Sequence, residues 1–96
     1  MRVIVSYDVA TSTSGGRKRL RRVANICKSY GVRVQYSIFE CSVTDRELAV
    51  LRARLLDSVT ADEDSLRLYF VSEDDARKTE HHGVRRPLDA DGPLIV

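Results

Sequence analysis

Cysteine is scarce in this chain: Cys27 and Cys41 are the only two among 96 residues. Both fall inside apolar-periodic segments, with no CxxC pair and no histidine-flanked spacing. They read as two reduced, buried thiols rather than a disulfide framework or a metal site. Long apolar runs are missing too. None approaches the ~20 residues that cross a bilayer, and Met1-Arg2-Val3 leads straight into a strand-like stretch instead of a signal peptide. A soluble, cytoplasmic protein with no membrane partner is expected. GxGxxG, GKS or GKT, GxSxG and HExxH are all absent, which leaves nucleotide cofactors and serine- or zinc-hydrolase chemistry without support. Acids are missing where bases crowd. Between Asp8 and Glu40 there is no Asp or Glu, yet Arg17, Lys18, Arg19, Arg21, Arg22, Lys28 and Arg33 all fall there. The net charge of +2 conceals this asymmetry. A weakly basic protein with one strongly basic face is a candidate for phosphate-rich partners, although such runs also serve as plain solvated surface.

The length allows a single domain, residues 1–96. A chain this short buries only about 60–65% of the surface that its unfolded form exposes, so its core is thin and a homodimer is an economical source of further stability.

Periodicity divides the chain into elements. Arg2 to Asp8 is a β-branched, mostly apolar run that predicts a central strand. Thr11 to Gly16 is a loop by composition, with Ser14 as the expected cap. Leu20, Val23, Ala24, Cys27 and Tyr30 then recur at helical spacing, opposite Arg17, Lys18, Arg21, Arg22, Asn25 and Lys28. Gly31 sits where a helix C-terminal glycine would. From Val32 to Glu40 the alternation is period two, which predicts a strand. Thr44-Asp45-Arg46-Glu47 has the form of a capping box, opening a helix with Leu48, Leu51, Leu55 and Val59 inward and Arg46, Arg52, Arg54 and Asp57 outward. Thr60 to Asp64 is a polar connection, Ser65 to Val71 a further strand, and Glu73 to Thr79 a turn of helix. The segment 81–92 reads as loop, and Pro93 to Val96 as a short apolar tail that pairs as a strand, along the sheet edge of a second copy. This order predicts an α/β sandwich one strand short of the ferredoxin-like βαββαβ pattern, unless Val32–Val43 holds two strands joined by a tight turn.

Asp8 is the sharpest chemical candidate. It ends a buried-looking strand beside a Ser/Thr/Gly loop, a position where ligands often sit. A carboxylate there can hold a hard cation such as Mg²⁺, or it can cap the loop by bonding nearby backbone N–H groups. One aspartate makes a poor metal site, whereas two from a twofold dimer make a better one. A shared ion would activate a water and neutralise a scissile phosphate, with arginines holding the backbone. The run Arg17 to Arg22 starts a helix, where positive charge opposes the macrodipole. With no compensating acid in sight, a phosphate partner is expected to supply the negative charge. His81-His82 lacks both ligand spacing and an orienting carboxylate, and reads as plain loop. Tyr7, Tyr36, Phe39 and Tyr69 could stack on bases, but strand spacing points most of them to the core.

Three strings carry a family resemblance: Val3-Ile4-Val5-Ser6-Tyr7-Asp8, Gly16-Arg17-Lys18-Arg19-Leu20-Arg21-Arg22-Val23, and the stretch from Tyr30 through Arg33-Val34-Gln35 to Phe39-Glu40-Cys41. Together they closely resemble the CRISPR-associated protein two family, and the resemblance runs over essentially the whole chain. It implies a ferredoxin-like βαββαβ fold with an additional C-terminal strand, and a homodimer in which a segment near 80–96 packs on the partner subunit. It implies a place in spacer acquisition in antiviral defence, bridging the CRISPR integrase and contacting the backbone of duplex DNA. Some members are described as Mg²⁺-dependent endonucleases on single-stranded RNA or double-stranded DNA, with Mn²⁺ as the substitute ion. Carried over by position, the resemblance assigns the metal and catalysis to Asp8 with Tyr7 beside it, and nucleic-acid contact to Arg17, Arg19, Arg22, Arg33 and Phe39. The alternative is a non-catalytic dimeric scaffold that tolerates the loss of Asp8.

Overall fold

Alternation along the first strand sets the layers. The computed structural model describes residues 1–84, with elements β1 (Arg2–Asp8), α1 (Ser14–Lys28), β2 (Gly31–Gln35), β3 (Ile38–Ser42), α2 (Asp45–Ser58), β4 (Ser65–Val71) and the short α3 (Glu73–Arg77). Val3, Val5 and Tyr7 of β1 point to one face and are buried, while Arg2, Ile4, Ser6 and Asp8 point to the other. The four strands form one antiparallel sheet in the order β2-β3-β1-β4. This is the ferredoxin-like βαββαβ arrangement, with α1 and α2 on the same side of the sheet. The additional C-terminal strand expected at Pro93–Val96 lies outside the described residues, as does most of the segment expected on a partner.

The core fills the space between sheet and helices. Val3, Val5, Phe39, Cys41, Val23, Cys27, Leu51 and Leu55 are fully buried there. Each large apolar side chain so placed contributes about 1.5–3 kcal/mol. The predicted apolar face of α2 is the observed one, and its capping box is complete: Glu47 N donates to Thr44 Oγ1 at 3.1 Å and Thr44 N to Glu47 Oε1 at 2.9 Å.

Three local expectations are corrected. The cap of α1 is Thr13, not Ser14; its hydroxyl accepts from Gly16 N at 3.0 Å, so Ser14-Gly15-Gly16 is the first helical turn rather than loop. The single strand expected over Val32–Glu40 is two, β2 and β3, joined at Tyr36-Ser37 with a register shift between Arg33 and Gln35. Uniform alternation runs through a tight turn and a bulge and hides both. Gly31 does not end the helix, which is closed at Ser29. It opens β2, where a Cβ would collide with the Glu40 carbonyl oxygen and crowd Cys41.

Candidate metal and nucleic-acid surfaces

Because successive strand residues point to opposite faces, Tyr7 and Asp8 cannot share a site. Asp8 is exposed at the end of β1, on the face opposite α1 and α2. Its last ladder partner is Ser65 of β4. Among the described residues its carboxylate makes no hydrogen bond or ion pair, so it does not cap its own loop. The open face around it carries exposed Val32 and Tyr69 together with half-buried Ile4 and Ile38. Between the β2–β3 hairpin and residues 79–84 lies a cleft of about 1120 Å³, bordered by Val34, Tyr36, Glu40 and His81. Arg2 spans Glu40 at 3.7 Å and Glu73 at 3.2 Å on this side.

Tyr7 lies inside the core instead. Its ring stacks on Phe39 with centroids 6.3 Å apart, and the Arg33 guanidinium sits 5.0 Å above the Phe39 ring. Burial pushes the Tyr7 phenol up, against an opposing pull from Arg33. Neither the Tyr7 hydroxyl nor Arg33 Nε finds a hydrogen-bond partner among the described residues. Three residues expected at the site (Tyr7, Arg33 and Phe39) therefore come together with each other and not with Asp8. Phe39, expected on nucleic acid, has 0% exposure and cannot present its ring to a ligand in this conformation. The two thiols lie in the same core, pushed by burial up to about 12 for Cys27 and about 11 for Cys41, so both stay protonated.

The basic run divides as well. Arg19, expected on phosphate, is engaged internally: Nε donates to Asp64 Oδ2 at 2.9 Å and Nη2 to Glu63 Oε2 at 2.9 Å. The compensating acid comes from the connection before β4, remote in sequence. Arg17 reaches back to the Thr11 carbonyl oxygen at 3.3 Å. Arg22 is different. With Lys18, Arg21 and Asn25 it lines a groove of about 570 Å³ between the helices, closed from the α2 side by Arg54. None of these four cations has an ion-pair partner among the described residues. Sequence reading took Arg54 only as an outward residue of α2; its meeting with the α1 run depends on how the helices pack. His81 and His82 are exposed, as expected of loop, but His82 does have a carboxylate partner, Glu80 at 2.9 Å, against the expectation of none.

Comparison with known proteins places this arrangement. Residues 1–79 match the family described as CRISPR associated protein Cas2. The chain belongs to the Cas2 family. It is 46% identical to the CRISPR-associated endoribonuclease Cas2 of Chlorobaculum tepidum over 96 residues, 100% of both chains. It is 44% identical to the CRISPR-associated endonuclease Cas2 of Halalkalibacterium halodurans, over 99% of each. Among solved structures it resembles Streptococcus pyogenes Cas2 with a TM-score of 0.78 and 47% identity, over 86% of this chain and 100% of that one. A hypothetical protein of Thermus thermophilus gives a TM-score of 0.73 at 35% identity, over 90% and 94% of the two chains. The ferredoxin-like sheet is thus the Cas2 sheet, and no described helix is long and apolar enough to cross a membrane.

Proposed function

We propose that this Cas2-family chain works in spacer acquisition as a cytoplasmic homodimer that binds nucleic-acid backbone beside the CRISPR integrase and cuts phosphodiesters with Mg²⁺, or Mn²⁺ in its place. The observation that carries the nuclease reading is Asp8: a carboxylate at a strand end, exposed on the face opposite α1 and α2 and unengaged among the described residues. The described part of one chain contains no cluster of three or more His, Cys, Asp or Glu that could hold a metal. Mg²⁺ commonly takes one or two protein carboxylates and completes its shell with water and phosphate oxygens. Asp8 fits such an ion as half of a pair. The apolar residues of the open face supply a reason for two copies to meet there, and a twofold interface sets each residue opposite its equivalent. The ion, when bound, would lower the pKa of a water and offset charge on the phosphate. Asp8 would hold it against the backbone of duplex DNA or single-stranded RNA.

The groove between α1 and α2 supports a second reading. It lies in the helix layer, on the opposite side of the sheet from Asp8, which suits a scaffold that holds a duplex without cutting it. Cleavage of labelled duplex DNA and single-stranded RNA by wild type and Asp8→Ala, with Mg²⁺ and with chelator, separates the two. Metal-dependent cutting is expected in wild type and lost in Asp8→Ala, with binding retained. Cutting that persists in Asp8→Ala, or that never occurs, leaves the scaffold.

A further inference from the structure

A dense polar cluster lies beside the strand end that carries Asp8. Asp64 has 0% side-chain exposure and both of its oxygens are engaged. Oδ1 accepts from Ala10 N at 3.0 Å and from Arg19 Nη2 at 3.3 Å, and Oδ2 from Thr60 N at 2.8 Å and Arg19 Nε at 2.9 Å. These partners come from the β1–α1 loop, the connection after α2 and the first half of α1. The Asp8–Ser65 pair is the last rung of the β1–β4 ladder. Asp64 immediately precedes Ser65, and Ala10 follows Asp8 by two residues. Its bond to Ala10 therefore adds a rung beyond the ladder, made by a side chain, and Asp8 is bracketed by Ser65 on one side and this rung on the other.

The loop is fastened from its far side too. Val9 is buried, and a Cβ on Gly16 would collide with the Ala10 carbonyl oxygen, so the first turn of α1 packs directly against Ala10. Burying a carboxylate carries a large desolvation penalty, which an apolar contact would avoid if loop anchoring were the only need. What the carboxylate adds is direction: two backbone N–H groups and a guanidinium fork fix one geometry. A metal-binding carboxylate must be held within about 0.5 Å of its working position, which ordinary loop packing does not guarantee.

We infer that Asp64, seated by Arg19, is a positioning residue that aims Asp8; this rests on the reading of Asp8 as the metal-holding carboxylate. The test uses the ¹⁵N-labelled full chain as wild type, Asp64→Asn and the milder Arg19→Lys. Amide exchange is followed at Ala10, Thr60 and Val5, and Mn²⁺-induced broadening of the Val9 amide measures metal binding without turnover. In Asp64→Asn, exchange at Ala10 and Thr60 is expected to rise about tenfold or more beyond any rise at Val5, whose amide reports global unfolding. The Mn²⁺ midpoint is expected to rise about five- to tenfold, with nucleic-acid affinity in chelator unchanged. Arg19→Lys, which keeps the charge and loses the fork, falls between. A loosened Ala10 with an unmoved Mn²⁺ midpoint would overturn the inference and leave Asp64 as a structural anchor. Exchange that rises equally at Val5 would overturn it as a loss of global stability. Wild type with no Mn²⁺ effect at Val9 would remove the metal reading itself and the inference with it, a failure visible without any substitution.

Discussion

Arg19 and Arg22 stand three positions apart in one basic run on α1, yet their surroundings are opposite. Arg19 keeps 18% of its side chain exposed and is held by Asp64 and Glu63 at the corner where β1, α2 and β4 meet. Arg22 is exposed, faces Arg54 of α2 across a groove, and has Lys18 and Arg21 as neighbours without an acid among the described residues. One helical turn thus separates a cation that completes the fold from one that the fold leaves unbalanced. A guanidinium that already holds a buried carboxylate has few donors left for a phosphate. The groove is therefore the better candidate for backbone binding, and Arg19 belongs to the scaffold behind Asp8. The contrast teaches that a basic run is a statement about charge and says nothing of which charges remain available.

The largest expected effect comes from emptying the corner. Asp64→Ala leaves Ala10 N, Thr60 N and Arg19 Nε facing no acceptor while Arg19 Nη2 keeps Glu63, and stability should fall by about 1–3 kcal/mol, as when buried donors lose their acceptor. Urea unfolding measures this directly. The same measurement has a definite pH dependence. The Arg19 guanidinium, helped by the Thr60 and Ala10 amides, holds the Asp64 carboxyl at about 2, below the ordinary value of about 3.9. The folded state therefore binds fewer protons than the unfolded one through this range. The contribution is complete above about pH 4 and is lost as pH falls toward about 2. The gap in urea midpoint between wild type and Asp64→Ala should narrow across that window. A gap that stays constant down to the acid limit would mean that Asp64 is not held as an ionised acceptor.

A smaller effect, in binding rather than folding, is expected at the groove. If the groove holds the backbone, Arg22→Gln combined with Arg54→Gln removes two of its cations, so the slope of log K against log salt should flatten by nearly 2. Affinity for duplex DNA at 0.1 M salt should drop about ten- to fiftyfold. Arg19→Gln should do the reverse, leaving the salt slope alone and lowering the urea midpoint. If Arg19→Gln flattened the slope as much as a groove substitution does, the division between the two arginines would collapse.

Legibility in the sequence followed the range of the interactions. The capping box at Thr44–Glu47, the apolar faces of both helices and the alternation of β1 are local patterns, and each stands in the structure as read. The β2–β3 turn escaped because Tyr36-Ser37 carries no glycine or proline, and the bulge between Arg33 and Gln35 kept the alternation continuous in sequence while shifting it in space. Arg19 looked uncompensated because its acids lie more than forty residues away. Asp64 itself read as part of a polar connection, since an acidic run gives no sign of which member turns inward. Asp8 could be singled out because its signal, the end of an apolar strand, is local. Tyr7 beside it in sequence could not be separated from it until the strand was seen to send the two to opposite faces.

The unbalanced groove has a last consequence, small in size and opposite in sign. Like charges set together on adjacent helices repel by a few tenths of a kcal/mol per pair. In the free protein, Arg22→Gln with Arg54→Gln should therefore raise the urea midpoint slightly, since these cations have no ion-pair partner among the described residues and their removal relieves repulsion. With duplex DNA present the order should invert. Wild type then gains stability from a ligand that binds only the folded state, by an amount that grows with its affinity, and the variant gains less. A groove whose arginines served as ordinary solvated surface would show no such inversion: the small stabilisation would persist at every DNA concentration.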